Sequence, residues 1–304
     1  MTLQQLKYVI TVAETGTITE AAKKLYISQP SLTNAIHDLE KEMNVEIFHR
    51  TNKGIDISKE GEDFLGYARQ VLEQDAILED KYKNGTGGTK QFCVSKQHYS
   101  FAVNAFVDLI QQYGQEEYDF SLRETQTYEI IEDVAKMKSE IGILFLNEFN
   151  EKVLRKLMKA NDLEFHPLFT ARPHVFISRR HPLADHTIIT NEELEAYPYL
   201  SFEQGEHNSF YFSEEIFSTT ERKKNIRVRD RATLFNLLIG LNGYTVCSGV
   251  IDQDLNGEDI IAVPLQDESE MQIGYLTHRR GMRSRLGETY LAFLDKYLKE
   301  VSAK

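Results

Sequence analysis

The first 58 residues carry apolar positions at helical spacing, and turn signals divide them into short segments. Thr17 and Glu20 have the spacing of a capping box, so a short helix is predicted to begin there. Ser28 is the expected N-cap of the next helix, since Pro30 fits its first turn. The pattern therefore predicts two helices joined by a tight turn.

The second of these helices has two chemically different sides. Leu32, Ile36 and Leu39 form its apolar face. The opposite side carries polar groups suited to base edges and phosphates, namely Gln29, Thr33, Asn34 and His37. This arrangement is typical of a helix-turn-helix, in which the first helix supports the second and the second enters the major groove.

Residues 47–57 alternate between apolar and polar positions on either side of Gly54. This pattern predicts a two-stranded wing. Arg50 and Lys53 fall near its tip, where a basic side chain can reach a phosphate or the minor groove.

These segments resemble the signature of LysR-type transcription regulators. The shared pattern is Ala21-Ala22-x-x-Leu25-x-x-Ser28-Gln29-Pro30-Ser31-Leu32-Thr33, then Ile36-x-x-Leu39-Glu40, Ile47-Phe48-x-Arg50 and Ser58-x-x-Gly61. The resemblance implies binding of double-stranded DNA, with Gln29, Pro30, Ser31, Thr33 and Asn34 at the duplex and Arg50 and Lys53 on the wing. Asn34 stands where many members have a basic residue, and Lys53 replaces the commoner arginine. Both departures weaken the transfer of base preference, since lysine lacks the bidentate fork of arginine.

A long amphipathic helix is predicted from Ser58 to about Lys83, with apolar positions from Phe64 to Tyr82 interrupted by Asp75. The run Gly85-Thr86-Gly87-Gly88 then predicts a hinge. The resemblance implies that such helices pair chains into dimers, which commonly assemble as dimers of dimers.

From residue 89 onward, strand-like and helical patterns alternate, which predicts an open α/β sheet. The apolar run 141–146 is expected to be a central parallel strand covered on both faces, and the uncharged stretch 232–251 a buried helix followed by a buried strand. The resemblance implies a periplasmic-binding-protein-like effector domain. The predicted domains are a winged helix-turn-helix over 1–58, a linker helix and hinge over 59–88, and an effector domain over 89–304. Within the last, subdomain I takes about 89–161 and 266–304, and subdomain II about 162–265.

Ligands of open α/β sheets bind beyond the carboxyl ends of strands, near helix N-termini. Four segments meet this description, and they supply the candidate effector-binding residues, which are Ser95, Lys96, Gln97, Thr125, Gln126, Phe202, Glu203, Gln204, Arg231 and Thr233. Lys96 or Arg231 is suited to hold a carboxylate. Any one of these residues could instead only cap a helix or form a pair across the domain.

The stretches Ser95–Tyr99, Leu200–Gly205 and Asp230–Asn236 are similar to regulators of sulfur amino-acid genes in Gram-positive bacteria. This similarity suggests an amino acid or a related metabolite as the small-molecule effector. No cofactor is implied. Cys93 and Cys247 are expected to be inert buried thiols, and no cysteine or histidine pattern indicates a metal site.

The formal net charge of −12 is unusual for a DNA-binding protein. Residues 1–58 carry six basic and seven acidic side chains, so the phosphate-binding surface has to come from local placement, helix N-termini and oligomerisation. No secretion signal or membrane span is predicted, which favours a cytoplasmic protein.

Two other classes of function stay open on the sequence. One is a small-molecule-binding module that does not read DNA, against which the intact helix-turn-helix speaks. The other is an α/β enzyme, for which Ser95 and His98 would be the nucleophile and base, but no G-x-S-x-G elbow surrounds Ser95. The sequence therefore favours a regulator that is not an enzyme.

Overall fold

The computed structural model describes residues 1–51, 54–82, 90–113, 117–207, 209–251 and 257–302. Contacts divide the chain into two compact units. The amino-terminal unit is Met1–Lys90 with Lys136–Lys138, and the carboxy-terminal unit is Gln91–Ala135 with Ser139–Lys304. The predicted hinge at 85–88 lies outside the described residues.

The amino-terminal unit confirms the predicted helix-turn-helix and its wing. Its elements are α1 (Leu3–Thr15), α2 (Ile18–Lys24), α3 (Gln29–Met43), β1 (Phe48–Thr51), β2 (Gly54–Ile57) and α4 (Lys59–Tyr82). The wing strands pair antiparallel, with Phe48 opposite Ile57. Helices α1 to α4 and the segment before β1 bury a shared core built from Val9, Val12, Ala21, Leu32, Ile36, Leu39, Ile47 and Leu65.

The carboxy-terminal unit contains two lobes. The elements of the first lobe are β3 (Lys90–Lys96), α5 (Ser100–Tyr113), β4 (Tyr118–Glu124), α6 (Thr127–Ala135), β5 (Ile141–Leu146), α7 (Glu151–Ala160), β6 (Leu163–Ala171), β12 (Met271–His278) and α10 (Arg285–Ser302). Its strands form a five-stranded sheet in the order β4-β3-β5-β12-β6.

The second lobe lies between β6 and β12 in the sequence. Its elements are β7 (His174–Ser178), α8 (Asn191–Leu194), β8 (Tyr199–Phe202), a 3-10 turn (Phe210–Phe212), β9 (Asn225–Val228), α9 (Arg231–Leu241), β10 (Thr245–Cys247) and β11 (Ile260–Pro264). These strands form a sheet in the order β10-β7-β11 and a parallel pair β8-β9. One apolar core runs through both lobes, from Phe92 and Phe145 to Val175 and Val246.

Three sequence expectations for this unit are corrected. The strand β5 is central and fully buried as predicted, but it is parallel only to β3 and antiparallel to β12, so the sheet is mixed. The second lobe begins after Ala171 rather than at 162, because β6 pairs with β12 of the first sheet. The uncharged helix α9 buries only Leu234 and Leu238, whereas Ile239 and Leu241 are exposed.

Candidate nucleic-acid interface and ligand cleft

Helix α3 has a buried and an exposed side. Leu32, Ile36 and Leu39, spaced four and three residues apart, are buried in the core of the amino-terminal unit. Ser28 caps the helix by accepting a hydrogen bond from the Ser31 N–H at 3.2 Å, and Pro30 occupies the first turn. The positive end of the helix dipole therefore lies beside its exposed polar side chains.

The predicted DNA-contacting residues share this exposed side. Gln29, Pro30, Ser31, Asn34 and His37 are exposed, and Thr33 is half-buried. Arg50 lies in β1, opposite Ile55, but its side chain is outside the described structure, as is Lys53 altogether.

The turn before α3 presents a residue that the sequence reasoning missed. Tyr26 is 95% exposed and has φ 55°, in the left-handed region that an aromatic residue rarely adopts. It stands two residues before the N-cap of α3. An aromatic residue in a short turn gives no periodic signal, so its sequence pattern could not reveal it.

The position of the wing relative to α3 depends on Glu40. Its Oε1 accepts hydrogen bonds from the N–H groups of Ile47 at 2.7 Å and Phe48 at 3.1 Å. Ser58 donates to Glu46 O at 2.5 Å and caps α4 by accepting from Gly61 N at 2.8 Å. Gly61 has no room for a side chain, because an added Cβ would lie 2.3 Å from Ile47 O. Several positions of the motif therefore hold the wing in place.

Helix α4 leaves part of its apolar stripe exposed. Tyr67 and Val71 are each 40% exposed and Leu78 is 59% exposed. Their spacing of four and seven residues places them along one side of the helix. In the described structure, a substantial part of each of these three side chains is therefore exposed.

In the carboxy-terminal unit, a partly buried charge network joins the two lobes. Lys96 at the end of β3 is 1% exposed and pairs with Glu124 at the end of β4. Arg231 of the second lobe donates to the same Glu124 carboxylate at 2.6 Å. Burial lowers the pKa of Lys96 to about 8, although Glu124 opposes this effect. Burial would raise the pKa of Glu124, but the charges of Lys96 and Arg231 hold it below its ordinary value.

A second set of bonds crosses between the lobes at His98. Its Nδ1 lies 2.7 Å from Glu214 Oε2, and its ring stacks on Phe202 with centroids 3.4 Å apart. Gln204 donates to Glu214 at 3.2 Å and accepts from the N–H of Thr127 at 3.1 Å. Glu215 accepts from Phe202 N at 2.8 Å, and burial beside Glu214 raises its pKa to about 8.

The ligand cleft, as we call the cavity beside this network, has a volume of about 50 Å³. The first turn of α5 and Arg231 supply positive potential, and Glu214 and Glu215 supply carboxyl groups. Thr245, which is 4% exposed, has a hydroxyl oxygen without a hydrogen-bond partner in the described structure. The remaining wall is largely apolar and includes Phe176, Leu234, Phe235, Val246, Val250 and Ile251.

The ten predicted effector residues are not all brought together. Phe202 and Arg231 line the ligand cleft, and Lys96 and Gln204 join its charge network. The others have different partners. Ser95 bonds to Asp133 at 2.7 Å, Gln97 to Thr127 at 2.6 Å, Thr125 to Glu129, Gln126 to the Gln204–Gly205 backbone, Glu203 to Arg229, and Thr233 to Asp230 at 2.8 Å.

Three titratable lining residues, His98, Glu214 and Glu215, were not among the ten predicted effector residues. Glu214 and Glu215 belong to an irregular segment after the 3-10 turn, where no period marks them as buried. A pair of adjacent acidic residues that is buried becomes visible only once the lobes are folded.

Neither a Ser95–His98 hydrolase pair nor reactive cysteines fit the structure. Ser95 and His98 belong to separate hydrogen-bond networks, so they do not form a nucleophile–base pair. Burial raises the pKa of both the Cys93 and the Cys247 thiol, which keeps them protonated and unreactive. Among the described residues, no helix is long and apolar enough to cross a membrane, and no cluster of side chains is arranged to hold a metal ion.

Comparison with known proteins agrees with this architecture. A family profile described as "Bacterial regulatory helix-turn-helix protein, lysR family" matches residues 3–62. A second, described as "LysR substrate binding domain", matches residues 97–299.

Individual relatives match to different extents. The uncharacterized HTH-type transcriptional regulator YbhD of Escherichia coli is 24% identical over 302 residues, covering 96% of this chain and 90% of YbhD. The HTH-type transcriptional regulator ClcR of Pseudomonas putida is 44% identical over 77 residues, which span 25% of this chain and only 26% of ClcR. A full-length OxyR variant of Pseudomonas aeruginosa has the same fold, with a TM-score of 0.64, 19% identity and coverage of 97% of this chain and 98% of that one. Because the two profiles match in order and span most of the sequence, the chain belongs to the LysR family.

Proposed function

We propose that this protein is a LysR-type transcriptional regulator that binds double-stranded DNA through α3 and responds to a small-molecule effector. The observation that carries the proposal is that α3 buries its apolar side in the core of the amino-terminal unit and leaves its polar side exposed. We assign residues 1–58 to DNA binding, 59–88 to the linker helix and 89–304 to effector binding. The protein would act in the cytoplasm, where bacterial DNA is accessible.

In this proposal Gln29, Thr33, Asn34 and His37 read base edges, and Pro30 and Ser31 lie against the backbone at the helix N-terminus. Arg50 and Lys53 add phosphate contacts from the wing. Exposure of the helix side chains supports these roles. Tyr26 extends the same surface and can donate its hydroxyl to a phosphate.

Oligomerisation would compensate for the low positive charge of each DNA-binding unit. The exposed stripe of Tyr67, Val71 and Leu78 on α4 favours pairing of two chains, because burying it removes apolar surface from water. A dimer of dimers would multiply the phosphate contacts again.

We assign the effector to the ligand cleft and its class to amino acids or related metabolites. A carboxylate fits between Arg231 and the first turn of α5, an ammonium group fits Glu214, and the Thr245 hydroxyl supplies a further bond. The cleft holds only a few water molecules at about 50 Å³. An amino acid can therefore enter only if the bonds between the lobes separate, which links binding to lobe movement. We further propose that the genes under its control are those of sulfur amino-acid metabolism.

Fluorescence anisotropy with DNA from upstream of the coding gene tests the DNA assignment. Each of Gln29→Ala and Asn34→Ala is expected to weaken binding by about 1–3 kcal/mol. Glu14→Gln, an exposed change on α1, is the matched control and should leave binding within about twofold of the parent. Equal binding by all four proteins would remove α3 from the interface.

A thermal-shift screen of the full chain against amino acids and their precursors tests the effector assignment. A compound that raises the Tm of the parent should lose much of that effect in Thr245→Val, which deletes one hydroxyl while preserving shape. A compound that stabilises both proteins equally would bind elsewhere.

A further inference from the structure

A second and larger cavity, which we call the back cavity, lies in the carboxy-terminal unit and has a volume of about 510 Å³. It is bordered by the loop after β5, the segment 210–219 and Ser269–Glu270, just before β12. Its volume falls in the range of small-molecule sites. None of the ten predicted effector residues lines it.

The chemistry of its lining is one-sided. Three carboxyl groups line it, from Glu148, Glu215 and Glu270, and none of its described lining residues is basic. Four phenylalanines also line the cavity, and these are Phe145, Phe149, Phe210 and Phe217. Carboxylates and aromatic rings together attract organic cations, since the ring face adds to the attraction of the charge.

The walls are fixed before any ligand arrives. Asn147 and Asn150 exchange backbone-to-side-chain hydrogen bonds of 2.8 and 2.9 Å, which hold the loop after β5. The Phe149 ring stacks on Tyr211 with centroids 4.7 Å apart. These contacts preorganise the loop and the aromatic side of the cavity.

Glu215 is the most deeply buried of the three carboxyl groups that line the back cavity. Its side chain is 4% exposed and lines the cavity. Its carboxyl group accepts hydrogen bonds from the backbone N–H groups of Phe202 and of Glu215 itself, and no side chain of the described residues donates to it. A buried carboxyl group without a side-chain donor is a favourable partner for an ammonium group.

We propose that the back cavity binds a small organic ammonium ion with an aromatic or aliphatic portion. The ammonium group lies among Glu148, Glu215 and Glu270, and the apolar portion packs on the phenylalanines. This site is separate from DNA binding. It adjoins the proposed effector site, because Glu215 lines both the back cavity and the ligand cleft.

Isothermal titration of the full chain with phenethylamine tests the proposal, with 2-phenylethanol and 3-phenylpropionate as neutral and anionic analogues. The amine should bind at least tenfold more tightly than the alcohol, and the acid should not bind. The double variant Glu148→Gln/Glu270→Gln should weaken amine binding about tenfold, because it removes two of the three carboxyl groups that line the cavity. Both residues are exposed, so the variant is expected to fold. Glu192→Gln, at an exposed acid on α8, is the matched control.

Two results would overturn the assignment. One is amine affinity that equals alcohol affinity, is unmeasurable, or is unchanged in the double variant. The other is a loss of amine binding in Thr245→Val, which would move the amine to the ligand cleft. Retained amine binding in a protein that fails to bind DNA would support the back cavity and contradict only the proposed regulator function.

Discussion

Removal of the Glu124 charge probes the network that joins the two lobes. In Glu124→Gln, Lys96 stays buried without its counter-ion and Arg231 loses a 2.6 Å partner. Lys96 limits its own penalty by releasing its proton. The pKa of Lys96 in the parent is about 8, which is one unit above pH 7. Deprotonating Lys96 at pH 7 therefore costs about 1.4 kcal/mol of folding free energy.

The loss of the Arg231 contact adds about 1 kcal/mol, since that guanidinium is 17% exposed and Glu124 is 30% exposed. The expected total is about 2–3 kcal/mol. Hydrogen exchange of peptides from β3 and β5 in the full chain measures it, with an expected loss of protection of roughly 30- to 150-fold.

The matched control is Asp295→Asn, which breaks the exposed Lys299–Asp295 pair at 2.5 Å. It should change protection by less than about 0.5 kcal/mol. The Lys96 part of the Glu124→Gln effect should vanish above about pH 8, where Lys96 is neutral in both proteins. An effect no larger than the control, or one that does not change with pH, would refute the reasoning.

Two further predictions concern the close packing at Gly61 and the buried carboxyl group of Glu215. Gly61→Ala should destabilise the amino-terminal unit by about 1–3 kcal/mol in urea unfolding, because the new Cβ meets Ile47 O at 2.3 Å, whereas Gly240→Ala on α9 meets nothing within 4 Å and should not destabilise. An equal effect of both changes would contradict this. The pKa of Glu215 is raised to about 8 from an ordinary 4.5, so between these pH values the folded state binds one proton that the unfolded state has released. The contribution of protonated Glu215 to stability is therefore full below about pH 4.5 and is lost as pH rises through 8. Relative to Glu215→Gln, the parent should therefore lose up to about 1.4 kcal/mol per pH unit between about pH 5 and 8, and parallel stability curves would contradict the assignment.

The helix-turn-helix was predictable because its determinants are local. Capping by Ser28, the 32–36–39 apolar spacing and the Glu40 and Gly61 positions all act within about sixty residues. The wing and the long helix follow from the same motif.

The mixed sheet and the second-lobe boundary were not predictable, because they depend on long-range pairing. The sequence pattern predicts that β6 begins a new subdomain, yet β6 pairs with β12, which lies about a hundred residues later. The periodicity of one strand carries no information about which distant strand will lie beside it.

The ligand cleft was predictable in position but not in composition. Strand ends and helix starts located Lys96 and Arg231, because parallel strands end at a common edge. Glu214 was missed, since it comes from an irregular segment of the other lobe.

The role of α3 in DNA binding is the central claim, and hydrogen exchange on the full chain with and without operator DNA tests it most directly. Peptides covering residues 28–38 should gain protection on DNA binding, while those covering the exposed side of α1 should not. DNA binding that leaves 28–38 unchanged and protects a different surface would contradict the account.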